Sequence, residues 1–256
     1  MPPWASVGLT SGTGPFGRRP SGQLSFAPPE HVVYVEPWPR RVRAFANGEP
    51  IVDSERTVLV HESGRLPHYA FPAADVSVPA EEEPEVEGYV TVAWASAERW
   101  LEEDEEVIVH PRDPYHRIDV VRSSRLVQVR LAGEQIAESA RSQILFETGL
   151  APRYYLPVDD VRMDALEPAE LRTGCPYKGW ARYWDAATGS GRAPAVAWSY
   201  PDPLPEATAI EELLCFFQER PELEVLVDAV AVESTPTPWS GTAWLDEPWV
   251  IRTAPA

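Results

Sequence analysis

The stretch Arg43-Ala-Phe-Ala-Asn-Gly48-Glu49-Pro-Ile51-Val-Asp53-Ser54-Glu-Arg56 lies, 85 positions further on, over Gln128-Val-Arg-Leu-Ala-Gly133-Glu134-Gln-Ile136-Ala-Glu138-Ser139-Ala-Arg141. The register continues without a gap: Glu62, Gly64, Pro67, Tyr69, Pro72, Asp75 and Val76 fall on Glu147, Gly149, Pro152, Tyr154, Pro157, Asp160 and Val161. Such a match is the signature of internal duplication, and two units make a tandem pair rather than a solenoid. Beyond Val76 the spacing slips, setting Trp94 against Trp184 and His110-Pro111 against Tyr200-Pro201.

Each unit reads as β. Val127, Val129 and Leu131 alternate with polar residues, as on a half-buried strand, and Asn47-Gly48 is a hairpin turn between two such runs, with Gly133 in the same place in the second unit. Tyr154-Tyr155-Leu156 and Ala195-Val196-Ala197-Trp198 are aromatic or β-branched runs bounded by proline or glycine. One helix is expected, Glu206 to Gln218, opened by Pro205, with Ile210, Leu213, Leu214 and Phe217 at helical spacing. The 28 prolines disfavour longer helices. The fold class is therefore mainly β: two tandem copies of a small antiparallel domain, each with at most a short helix. The expected organisation is a Gly, Pro and Ser-rich disordered segment over 1–30, a first copy over 38–122, a second over 123–233 and a Pro/Trp-rich tail over 234–256. Trp239, Trp244 and Trp249 predict that the tail packs back on the body.

A net charge of −18 argues against nucleic acid, which needs a basic patch, and against an anionic membrane surface. The acidic runs Glu81–Glu83 and Glu102–Glu106 read as solvated faces rather than metal sites. No stretch approaches the apolar length of a membrane span, and no secretory signal is evident. Two cysteines, Cys175 and Cys215, are too few for a disulfide framework, so a cytoplasmic protein with reduced thiols is expected. No cofactor is implied.

The run Gly133-Glu-x-Ile136-Ala137-Glu138-Ser139, followed by Phe146-Glu147-Thr148-Gly149-Leu150-x-Pro152-Arg153-Tyr154-Tyr155-Leu156-Pro157-x-Asp159-Asp160-Val161, by Thr173-x-Cys175-Pro176-Tyr177-Lys178-Gly179-x-Ala181-x-Tyr183-Trp184 and by Ala197-Trp198-Ser199-Tyr200-Pro201-Asp202-Pro203, resembles the domain of unknown function 427 family. The resemblance covers roughly residues 38–233 as two copies, and it implies a compact antiparallel β-tent or barrel with a short helix. A nucleotidyltransferase-like label accompanies the family. The chain gives that label little support: it has no Gly-Ser turn followed by a paired Asp-x-Asp to hold two metal ions, and no phosphate-binding glycine loop. The first copy departs from the pattern, with Gly88-Tyr-Val-Thr-Val-Ala-Trp94 where the second has Cys-Pro-Tyr-Lys-Gly.

Lys178 is the one lysine among 22 basic side chains. Arginine stays charged, whereas lysine shifts its pKa readily, so the residue choice points to a task for an amine. Several readings are open. Lys178 lowers the pKa of Cys175, three residues away, and makes it a nucleophile. Alternatively the Lys178 amine itself condenses with a carbonyl. A third reading makes Cys175 a small core residue and Lys178 a strand-end cation. Glu147 is a candidate base, although its recurrence as Glu62 favours a structural carboxylate paired with an arginine such as Arg141 or Arg153. Tyr154, Tyr177, Tyr183, Trp184, Trp198 and Tyr200 are candidates to wall a small-molecule pocket, with Arg153 and Asp202 as polar contacts. His110, Arg112, Asp113, His116 and Arg117 form the densest basic group, read either as a site for a small anion, with His110, Arg112 and His116 completing the second copy's site, or as an arginine–aspartate network tying the two copies together. The His110-to-His116 spacing does not suit zinc, so no metal is assigned. The partner expected is thus a small, anionic molecule. The catalytic version places Lys178, Cys175 and Glu147 on a small carbonyl- or phosphate-containing compound. The alternatives are a non-catalytic anion-binding module and a protein-interaction domain.

Overall fold

The structure, a computed structural model, describes residues 8–234 and 236–253. The chain forms two compact units, dividing between His116 and Arg117. Both are built from antiparallel sheet with short 3-10 turns.

The first unit contains β1 (Val33–Pro37), β2 (Val42–Ala46), β3 (Glu49–Ser54), β4 (Val58–Glu62), β5 (His68–Pro72), β6 (Glu81–Glu82), β7 (Tyr89–Thr91), β8 (Arg99–Glu102) and β9 (Glu105–Glu106). They form two sheets, ordered β1-β4-β5-β7-β6 and β3-β2-β8-β9. Val42, Ala44, Leu59, Phe71 and Trp100 are buried between them. Residues 1–7 of the N-terminal segment lie outside the described residues. From Gly8 the segment makes turns of its own, and the Leu9 amide donates to Asp113 at 3.2 Å.

The second unit contains β10 (Ile118–Ser123), β11 (Val127–Leu131), β12 (Glu134–Ser139), β13 (Ser142–Glu147), β14 (Arg153–Leu156), β15 (Leu166–Cys175), β16 (Gly179–Ala187), β17 (Arg192–Ser199), β18 (Leu214–Phe216), β19 (Leu223–Val227), β20 (Val230–Ala231) and β21 (Ile251–Arg252). A four-stranded sheet, β12-β11-β19-β20, faces an eight-stranded one, β10-β13-β14-β18-β17-β16-β15-β21. The larger sheet is buried on both faces. One face, with Leu156, Ala197, Leu214 and Phe216, packs against Val127, Val129 and Ile136. The other, with Tyr155, Tyr183, Trp198 and Cys215, is covered by Ala207 and Ile210 and by Trp244 and Val250 from the tail. The sheets are open: no ladder joins β10 to β21 among the described residues, so the tent describes the fold and the barrel does not.

The elements of 33–76 recur at 118–161. The β2–β3 hairpin shifts register between Ala44 and Phe45, as β11–β12 does between Val129 and Arg130. Ser54 Oγ donates to Asp75 at 2.7 Å, as Ser139 Oγ does to Asp160, and Arg56 and Arg141 pair with those same carboxylates. Further along, the correspondence at Trp94 and Trp184 gives way to a different one. Val42 pairs with Glu102 where Val127 pairs with Val227, so β8 answers to β19. Likewise β7 lies beside β5 as β18 lies beside β14. The long β15–β16 hairpin is interposed before β18 and has no counterpart among the described strands of the first unit.

The helix expected over 206–218 is not formed. Pro205–Ile210 is a 3-10 turn, Glu212 adopts φ 55°, and Leu214–Phe216 is a strand. A left-handed residue ends any helix, and pairing to both β14 and β17 outweighs the local spacing. No helix among the described residues is long and apolar enough to cross a membrane.

Candidate functional site

The turn between β15 and β16 carries the Cys-Pro-Tyr-Lys-Gly motif. Pro176 supplies the fixed φ favoured inside a turn, the Lys178 amide donates to the Cys175 carbonyl at 3.3 Å, and Gly179 closes the turn with φ 98°. A bridge from Gly179 to Pro203 and a bond from the Leu204 amide to the Lys178 carbonyl, 3.1 Å, hold the turn against the chain leaving β17. Lys178 is thereby buried at 7% exposure.

Its ammonium donates to Glu147 at 2.5 Å, and both side chains are below a tenth exposed. Glu147 ends β13, and β13 and β16 are four places apart in the sheet, about 19 Å if it were flat. No lysine spans that, so the sheet curls until its hairpin tip stands over β13. Glu62, the corresponding residue of the first unit, does something else: it pairs with Arg65 and His31 near the surface. Recurrence thus carries a structural role for Asp75 and Asp160 but none for the glutamates. The two arginines suggested for Glu147 have other partners. Arg141 holds Asp160, and Arg153 makes a two-pronged pair with the buried Glu219 at 2.6 and 2.7 Å.

Burial opposes the Lys178 ammonium, but the neighbouring Cys175 sulfur and the Glu147 carboxylate outweigh it, and the pKa lies above that of an ordinary lysine. Burial also pushes the Cys175 thiol up, against the pull of Lys178. Both shifts run opposite to the two expected activations, a thiolate at Cys175 and a neutral amine at Lys178. With the sulfur protonated at neutral pH, the Glu147 carboxylate is the group that holds the ammonium.

The aromatic wall divides between the two faces of the sheet, because neighbouring strand residues point oppositely. Trp198 and Tyr200 belong to the buried cluster against which Cys175 packs, together with Tyr155 and Tyr183. Tyr154 and Trp184 pack against the opposite core and leave the candidate wall. Tyr183 shares a hydrogen bond of 2.8 Å with Thr173, and the Trp198 indole donates to the Tyr155 hydroxyl at 3.0 Å. Burial holds the Tyr200 and Tyr155 hydroxyls in their protonated form. Arg153 joins the cluster through its guanidinium, 5.5 Å from the Trp198 ring centre. Tyr177 is buried beside Lys178 in the turn, whereas Asp202 is exposed and only its carbonyl approaches Gly179. Tyr155 and Glu219 were missed in the sequence. Tyr155 alternates with the chosen Tyr154, a signal that selects one of the two and does not say which.

His110, Arg112 and His116 lie in the first unit. His110 is buried and its Nδ1 bonds the Pro111 carbonyl at 2.7 Å. Burial takes its pKa down to about 4, so it carries no charge at neutral pH and adds nothing to a basic cluster. No group of three or more His, Cys, Asp or Glu among the described residues could hold a metal ion.

No curated protein matches this sequence. A family model described as a domain of unknown function (DUF427) matches it over residues 34–100 and 119–232. The two matched segments fall one in each unit and take in both the recurrent strands and the Lys178 hairpin, and the chain belongs to the DUF427 family.

Proposed function

We propose that the second unit is a small-molecule site centred on the Cys175–Lys178 turn, in which a charged Lys178, aimed by Glu147, donates to an oxygen of a small carbonyl compound. The observation that carries this reading is the burial of the chain's single lysine against a buried carboxylate, beside a thiol. Such a pair is weak evidence for stability, since apolar side chains of similar volume often serve a core as well, and charged pairs with shifted pKa values concentrate at functional sites. An ammonium has three donors, of which Glu147 takes one and the Cys175 sulfur another. Because Glu147 already offsets the charge, the carbonyl oxygen of a neutral or singly charged compound such as a keto acid suits the pair better than the more highly charged phosphate. As an enzyme, the set offers Lys178 to polarise the carbonyl, Cys175 to attack it and Glu147 to take the thiol proton. As a binding module, the same donors hold the ligand without bond-making.

Calorimetric titration with pyruvate and with inorganic phosphate tests the reading. Pyruvate binding is expected to fall about tenfold in Lys178→Arg, whose planar guanidinium is a poor replacement for a compact ammonium, and to disappear in Lys178→Ala. Equal pyruvate binding by the parent protein and Lys178→Ala would refute the site. Phosphate bound more tightly than pyruvate would turn the reading to the anion-binding module.

A further inference from the structure

The face of the large sheet that packs against the four-stranded one through Trp184 and Ala186 runs on toward the turn of the β15–β16 hairpin, where it reaches solvent. Alternation sets Trp180 and Arg182 on this face of β16, while Ala181 and Tyr183 enter the other core. Arg172 of β15 stands directly across from Arg182, and both are exposed. Like charges facing each other across a strand pair destabilise a sheet. Other arginines of this unit are neutralised: Arg125, Arg141, Arg162 and Arg220 each hold a carboxylate at 2.7 or 2.8 Å. Neither Arg172 nor Arg182 pairs with a carboxylate among the described residues. One of the two is also aimed, because the Arg172 guanidinium lies over the half-buried Trp180 ring, 4.5 Å from its centre. In a chain of net charge −18, two opposed cations of which one is fixed on an indole make a positive site against a negative background.

We propose that Arg172 and Arg182 bind the phosphoryl group of a small, soluble phosphate monoester, with Trp180 as the platform that aims Arg172. Charge selects the ligand. A phosphate monoester carries about −1.5 to −2 at neutral pH and offers three strong acceptor oxygens, which match two guanidiniums. A single carboxylate would leave one arginine still opposed. Each planar guanidinium meets two oxygens at once, and the Cβ atoms of directly opposite residues are about 4.5–5.5 Å apart, so two such forks can close on one group. The acidic remainder of the chain repels a polyanion such as nucleic acid, and the ligand is therefore small. The site lies on the other face of the hairpin from Cys175, and the inference does not rest on the Lys178 reading.

The test titrates the full chain, labelled with 15N at its indoles, with glycerol 3-phosphate. The Trp180 resonance of the parent protein is expected to move with a dissociation constant of about 1 mM or below. Arg172→Gln and Arg182→Gln are each expected to weaken binding about tenfold or more, the value of a charge-assisted hydrogen bond. Arg122→Gln, at another exposed arginine without a carboxylate partner among the described residues, is expected to leave binding unchanged. Because Arg182→Gln removes a like-charge opposition, it is also expected to unfold at no lower urea concentration than the parent, which an arginine with a purely structural role would not allow. A Trp180 resonance unmoved up to about 10 mM glycerol 3-phosphate overturns the proposal without recourse to any variant. Equal weakening by Arg122→Gln and Arg182→Gln also overturns it, since that describes attraction by diffuse charge. Binding that survives Arg182→Gln but is lost in Lys178→Ala overturns it as well and places the phosphate at the Lys178 turn. Binding that Arg182→Gln removes and Lys178→Ala leaves intact supports the proposal, whatever becomes of the Lys178 site.

Discussion

Removing Glu147 takes from the buried Lys178 ammonium the carboxylate that opposes it. Glu147→Gln is therefore expected to lower stability at neutral pH by about 3 kcal/mol, measured by urea unfolding. The pair also sets a pH dependence. The folded pKa of Lys178 is raised, so its contribution is complete below the unfolded value of about 10.4 and is lost as pH rises through the folded pKa. Lys178→Met, with no group to titrate, is expected to lack that alkaline loss, and an unchanged alkaline limb in the variant would count against the pairing. At this scale the sequence names the participants but not their relation. Composition singles out Lys178, yet its partner stands 31 residues away, and nothing in local spacing brings a hairpin tip over β13. Nor does composition reveal burial, which is why a depressed lysine and a thiolate stood open beside an inert core cysteine, and raised values are found.

At the scale of elements, the hairpin that carries the motif depends on Gly179. Its φ of 98° is one that L side chains rarely adopt, and a Cβ there would stand 3.1 Å from the Asp202 carbonyl. Gly179→Ala is expected to cost about 1–2 kcal/mol and to weaken ligand binding with it, because the same turn places Lys178. Thermal unfolding and pyruvate titration of the one variant read both effects, and a stable variant that has lost binding would mean that the turn acts on the site alone. The β11 strand was legible from the alternation of Val127, Val129 and Leu131, since period-2 patterning survives in any half-buried sheet, whereas the β15–β16 hairpin was not read. The helix over 206–218 was misread because Ile210, Leu213, Leu214 and Phe217 satisfy helical spacing although Ile210 ends a 3-10 turn and Leu214 opens a strand buried on both faces. Phe216 and Leu214 enter one core and Cys215 and Phe217 the other. Tyr154 and Trp184 fall on the opposite face from Trp198 and Tyr200 for the same reason. In a sheet buried on both faces, aromatic residues line both, and the sequence does not mark which face each one takes.

For the whole molecule, the 85-residue offset disclosed the strands of 33–76 and 118–161, because no insertion interrupts them. Past that point the β15–β16 hairpin of the second unit interrupts the correspondence, and β8 answers to β19 at a much larger offset that ungapped comparison cannot follow. The tail tryptophans were correctly read as packing residues, since three indoles in a short proline-rich segment have too much apolar surface to remain in water. What joins these levels is one claim: a curled sheet buries a protonated Lys178 against Glu147. Because Lys178 is the only side-chain amine, its acylation can be followed against pH by mass spectrometry without interference from another lysine. The predicted result is slow modification with an apparent pKa above the ordinary value of about 10.4. Rapid modification with an apparent pKa of about 7–8 would contradict the account, since it would describe a neutral, reactive amine instead of a paired ammonium.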